Sequence, residues 1–174
     1  MESRLIVGER VSQSPNDKAE LVPTLASVPA EAGDLAVALV DSGFFSAAAV
    51  QQIEQTAAGK ATGTTVYAAV EKSGHHRSVA DLEKQPDPEA PAPGASMIEV
   101  MRHRLKTSGG KQLYKLRQQT VEPVFGIIKS VLGFRQFRLR GRQRVSLEWT
   151  LVCLAYNLKR LHRLGAGLKL AGAA

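Results

Sequence analysis

The chain has 174 residues, a formal charge of +7 at pH 7, 44% hydrophobic residues, 5% aromatics and one cysteine. That length suits one domain with a mainly aliphatic core rather than two domains, and the single Cys153 excludes an internal disulfide and a thiolate metal cage. The charge is unevenly placed: residues 101–174 hold 16 Lys+Arg against two carboxylates, Glu122 and Glu148, a balance of +14, whereas the first hundred residues hold 7 Lys+Arg and 14 Asp+Glu, a balance of −7.

A field of this sign favours an anionic partner, nucleic acid before membrane, over the plainer alternative of a solvated basic surface. The opening MESRLIVGERVSQ has no apolar stretch suited to a signal peptide, and no run reaches the length of a membrane span. A cytoplasmic, nucleoid-associated location is the expectation.

In chain order, Arg4 to Ser12 reads as a strand. Asn16 or Asp17 is placed to cap a short helix ending at Leu25, with Ala19, Val22 and Leu25 or Ala26 inward and Pro23 limiting its length. Leu35 to Val40 is a continuous apolar run, the pattern of a strand buried on both faces. Asp41 and Ser42-Gly43 turn the chain, Ser46 is placed to cap a helix from Ala47 to Ala57, and Thr64 to Val70 reads as another strand. Strand, helix, strand, helix, strand is the rhythm of an α/β layer with parallel pairing.

His75-His76-Arg77 has no zinc-motif spacing to a carboxylate or cysteine and reads as a polar loop. Residues 84–96 contain four prolines and read as an extended, mobile linker. Three helices are expected after it: Met97 to Lys106, stopped by Ser108-Gly109-Gly110; Lys111 to Leu132, with Pro123 as a kink or a new start; and Arg144 to Arg163. The last would bury Leu147, Leu151, Leu154, Ala155, Leu158 and Leu161. Gly109-Gly110-Lys111 lacks the rest of a P-loop. The expected divisions are 1–83, an α/β segment; 84–96, the linker; 97–164, a basic helical part; and 165–174, a frayed tail.

Asp41, at the carboxyl end of a buried strand, stands where open α/β sheets place their sites, although a turn or capping role suits it equally. Glu122 lies beside the apolar stripe Val121, Val124, Phe125 and Ile128. Gly126 leaves the next turn uncrowded and Lys129 lies nearly two turns on, which suits a metal and a phosphate together; a surface glutamate is the plainer reading. Cys153, between Val152 and Leu154, reads as a packing thiol. Arg135, Arg138, Arg140, Arg142 and Arg144 alternate from Arg138 onward, and in an extended segment would form a rake of phosphate contacts. A charged edge strand is the alternative.

These residues carry a family pattern. TVEPVFGIIKSVLGFRQFRLRG, EWTLVCLAYNLKRL and the preceding MRHRLKTSGGKQLYKLRQQ resemble the carboxy-terminal catalytic block of DDE-type bacterial insertion-sequence transposases. SRLIVGERVSQSPNDKAELVPTL and LAVALVDSGFFS resemble the region around that family's second catalytic aspartate. The resemblance spans roughly Arg4 to Leu164. It implies that Asp41 is the second and Glu122 the third catalytic and metal-holding acid, and that Tyr114, Arg117, Glu122 and Lys129 correspond to a Tyr-Arg-Glu-Lys signature, with one residue more between Arg117 and Glu122 than the commonest form. The implied fold is α/β, a partial RNase H-like core with a mainly helical carboxy-terminal half. The implied chemistry is phosphoryl transfer on DNA with two Mg²⁺ ions. Tyr114, Arg117, Lys129 and the arginine rake would hold the strand.

The pattern departs from the family at its first acid. Asp17 lies in a helix-start PND and Asp34 in a loop, so neither matches the strand-borne first aspartate of family members. The expectation is therefore a chain that binds DNA without strand transfer of its own. The alternative is a non-enzymatic basic DNA-binding module that regulates or joins a full-length transposase; a homo-oligomer is the other expected association.

Overall fold

A computed structural model describes residues 3–70 and 86–165. Two strands, β1 (Val37–Val40) and β2 (Thr65–Ala68), pair in parallel with Val37 opposite Thr65 and Val40 opposite Ala68. Five α-helices accompany them: α1 (Leu21–Leu25), α2 (Ala47–Glu54), α3 (Met97–Lys106), α4 (Ser108–Ser130) and α5 (Arg142–Arg163). The class is thus mixed helix with a small parallel sheet, and helices hold about half of the described residues.

The connection from β1 through α2 to β2 follows from the sequence. Short apolar runs rich in Val and Ala make the strands, and the Ala-rich segment between them makes the helix. α2 ends at Glu54, short of the expected Ala57, because Gln55 bridges Ala61 and the Thr62 N–H donates to the Glu54 carbonyl. Ser46 occupies the N-cap without a side-chain hydrogen bond. The principal core joins Leu21, Ala38, Val50, Val66, Ala68 and Met101, with Leu25, Phe44, Phe45, Ile53 and Met97 packed around it. Val37 remains 38% exposed, so β1 is buried on one side rather than both. The inward residue of α1 is Leu21 rather than Ala19, because Asp17–Ala19 is a separate 3₁₀ turn capped by Asn16.

α3 packs along β2. Arg104 donates to the Val66 carbonyl and to both oxygens of Glu54, and Glu54 in turn accepts from the Val66 N–H. The Ala68 N–H points at the Met101 sulfur, 3.3 Å away. One ion pair and one thioether therefore take up strand groups that would otherwise be buried unpaired.

Ser96 and Glu99 form a complete capping box at the start of α3. α3 ends at Lys106 as expected, and the Ser108-Gly109-Gly110 run forms the first turn of α4, which starts at Ser108 rather than at Lys111. Thr107 caps it by accepting from the Gly110 N–H, and a Cβ at Gly110 would lie 1.7 Å from the Arg104 carbonyl oxygen. Only glycine lets the two helices meet so closely. Asp87 accepts from the Ser108 N–H and hydroxyl, placing an anion at the start of α4 and pinning the Pro-rich segment there. α4 then runs unbroken through Pro123.

Two larger expectations also fail. Arg4 to Ser12 is not a strand. Its backbone lies along α5, where Asn157 accepts from the Ile6 N–H at 2.9 Å and donates to the Ile6 carbonyl at 2.7 Å. Tyr156 donates to the Arg4 carbonyl and Arg160 to the Ser3 carbonyl. One amide side chain thus does for Ile6 what a neighbouring strand would do. The leucines of α5 are also not buried: Cys153 and Tyr156 face inward, and Leu147, Leu151, Leu154, Leu158 and Leu161 face solvent. The residues around 75–77, the start of the Pro-rich segment and the tail beyond 165 lie outside the described residues.

Candidate nucleic-acid interface and acidic site

β1 delivers Asp41 to its carboxyl end, and α4 brings two side chains to the same place. Asp41 caps a short 3₁₀ turn, Ser42–Phe44, its Oδ1 accepting from the Ser42 N–H at 2.8 Å. Its Oδ2 lies 3.6 Å from Nη1 of Arg117. Tyr114, three residues before Arg117 and so on the same helix face, donates its hydroxyl to the Val40 carbonyl at 3.0 Å. The Arg117 guanidinium sits 5.6 Å from the Tyr114 ring centre, and its Nε is buried without a hydrogen-bond partner.

Burial pushes the Tyr114 hydroxyl above its ordinary value, and the Asp41 carboxylate adds to this; Arg117 and a backbone contact at Ala69 oppose it. The Asp41 side chain is 59% exposed, so the carboxylate–guanidinium pair is worth less than about 1 kcal/mol. Its effect is to hold a cation in place at the end of β1. Arg117 is the side chain best placed to receive an anionic oxygen there.

Glu122 is exposed on α4 and makes no hydrogen bond or ion pair among the described residues. It stands about 140° around the helix from Arg117 and about 20° from Lys129, with an axial rise of about 10 Å between Glu122 and Lys129. Gly126, between them, has open space where a Cβ would be, so this strip of α4 is uncluttered. Arg117 therefore meets Asp41, whereas Glu122 and Lys129 occupy a different face of the same helix.

After α4 the chain crosses a loop and enters α5. Gly133 and Gly141 turn it with φ of 71° and 83°. Glu148 gathers the loop backbone, accepting from the N–H groups of Arg138 and Leu139 at 2.9–3.1 Å. Phe125, Phe134, Phe137 and Trp149 cluster beneath it, with ring centres 5.3–6.2 Å apart. Arg135, Arg138 and Arg140 lie on this loop, and Arg142 and Arg144 lie in the first turn of α5; all five are exposed and none makes an ion pair among the described residues. The arginines thus follow a loop-to-helix path instead of one extended rake. Cationic side chains at a helix N-terminus oppose the helix dipole, so a phosphate placed between them would be favoured by both.

Residues 92–162 match the family model described as the transposase DDE domain. That stretch is a DDE-type transposase segment. No curated protein and no solved structure matches the chain. The transposase segment takes in α3, α4, the arginine loop and nearly all of α5, and with them Tyr114, Arg117, Glu122 and Lys129. Asp41 lies outside it. Two residues that organise the region carry no signal in the sequence pattern, Glu148 and Asn157, and Gly110, read there as a helix stop, proves to be a close helix contact. Asn157 reaches backbone 151 positions away, Glu148 the preceding loop and Gly110 the neighbouring helix, and the helical pattern carries no sign of such partners.

Among the described residues the donor set does not make a two-ion metal centre. Among the described residues no three His, Cys, Asp or Glu side chains come together to hold a metal. Asp41 has one oxygen committed to Ser42 and the other beside a guanidinium, which competes with a metal cation for it. Cys153 offers no substitute: burial first, and the nearby Glu9 carboxylate second, push its thiol up to about 11.

Proposed function

We propose that this chain is a DNA-binding portion of a transposase DDE domain that holds the phosphate backbone without transferring strands on its own. The observation that carries this reading is the set of five exposed arginines, 135 to 144, presented by a loop that Glu148 holds in shape and by the first turn of α5. Each has a guanidinium free of carboxylate partners among the described residues, within a stretch of charge +14. Duplex DNA, with one negative charge per about 1.7 Å of axis, suits such a surface, and these contacts carry affinity without sequence information. Arg117 at the end of β1 would add a further contact.

In this reading β1, β2 and α4 are part of an RNase H-like core, with Asp41 and Glu122 as its second and third acids. The family resemblance implies Mg²⁺, which favours six near-octahedral oxygens, several of them water and phosphate. Two carboxylates on separate scaffolds, one of them engaged with Arg117, leave such a site short of ligands. The chain therefore acts through DNA binding and through association with a second copy or with a full-length transposase.

The test is a binding and nicking assay on a labelled duplex, comparing the parent chain with a triple variant, Arg138→Ala, Arg140→Ala and Arg144→Ala. The parent should bind without Mg²⁺-dependent nicks, and the variant should bind at least about tenfold more weakly. Nicking by the parent, or unchanged binding by the variant, would overturn the reading.

A further inference from the structure

Helix α5 has two apolar sides and uses one. Trp149, Val152, Cys153 and Tyr156 turn toward the chain, with Cys153 and Tyr156 fully covered. The other side carries Leu147, Leu151, Leu154, Leu158 and Leu161, exposed by 61%, 66%, 52%, 57% and 36%. Their spacing is four, three, four, three, a strict seven-residue repeat with leucine at both apolar positions. A helix that packs into its own globule uses a wider stripe of period 3.6; a stripe of period 3.5 faces another helix.

We propose that this seam is a self-association surface, α5 of one copy against α5 of a second. It gives a surface to the self-association proposed above and rests on that part of the reading, independently of DNA. Three features favour a second copy. The seam repeats one side chain, so it is complementary to itself under two-fold symmetry. The exposed leucine surface comes to about 500 Å² per copy, hence about 1,000 Å² in a pair, the lower limit for a specific interface; a single apolar patch of that size on a monomer is often functional. The positions flanking the seam between Glu148 and Leu158 are Thr150, Ala155 and Asn157, so no lysine or arginine faces its counterpart across the middle.

Positive charge enters at the ends, through Arg142 and Arg144 at one and Lys159, Arg160 and Arg163 at the other, and carboxylates stand beside the seam at Glu148 and at Glu9, which accepts from Thr150. Like charges at the ends repel in either helix orientation, so added salt strengthens the pairing. DNA binding has the opposite dependence. The two readings therefore fail separately.

Sedimentation velocity of the full chain without DNA, at about 50 µM and in both about 0.15 M and 0.5 M salt, tests the proposal. The expected result is a dimer that tightens at the higher salt. The double variant Leu151→Glu, Leu158→Glu should sediment as a monomer and keep the helical circular dichroism of the parent, since both side chains are solvent-facing. A parent that stays monomeric at both salts, or a variant that still dimerises, would overturn the proposal. So would a variant that loses its helix signal, because the leucines would then be covering the chain's own core.

Discussion

Asp41 divides its oxygens between structure and charge. One accepts from the Ser42 N–H and shapes the turn after β1; the other faces Arg117. Of the two readings open for this residue in the sequence, the hydrogen bond to Ser42 shows the turn-capping one. Tyr114 ties the pair to the sheet by donating to the carbonyl that precedes Asp41. Its folded-state value is raised above 10.0, chiefly by burial. The neutral phenol is the form the fold favours, so its contribution is complete below pH 10.0 and disappears as pH rises through the higher folded value. Tyr114→Phe should cost about 1 kcal/mol in urea unfolding near neutral pH and reduce the alkaline loss of stability. A variant as stable as the parent with an identical alkaline profile would show that the Val40 contact contributes nothing.

At the scale of elements, the junction between α3 and α4 depends on one missing side chain. Gly110→Ala forces a methyl group into the Arg104 carbonyl and should destabilise by about 2–3 kcal/mol. Gly109→Ala, one residue earlier and facing open space, should stabilise α4 by about 0.5–1 kcal/mol. Thermal unfolding of the pair checks this directly; equal effects at the two positions would mean that the helices do not meet at Gly110. The same scale shows what the sequence reveals and what it does not. β1, β2, α2 and α3 were legible because each is a contiguous run whose own pattern decides it. Arg4 to Ser12 has the residues of a strand, but its partner is Asn157, more than 140 positions away, and strand partners are not written locally. The leucine stripe of α5 predicts an inward face, because a leucine stripe is usually the buried one. The packing instead selects Cys153 and Tyr156, and the stripe turns outward. At the site, residue types were legible but convergence was not. Periodicity places Glu122 near Lys129 on one face of α4, and it says nothing of which face meets β1.

The whole molecule separates an acidic first hundred residues from a basic remainder. The match to the transposase DDE domain, residues 92–162, lies almost wholly in the basic part, and within it the loop and first helical turn over 135–144 concentrate arginine without acidic partners among the described residues. No described helix is long and apolar enough to cross a membrane. The proposed phosphate-binding surface is the consequence of charge placement that matters most. Its most direct test is the salt dependence of binding to a random-sequence duplex, followed by fluorescence anisotropy. If the five arginines meet phosphates, the logarithm of the binding constant should fall linearly with the logarithm of salt concentration with a slope of about −4 or steeper. Removing Arg138, Arg140 and Arg144 together should make that slope shallower by about 3. A slope near zero, or one that the triple variant leaves unchanged, would contradict the account.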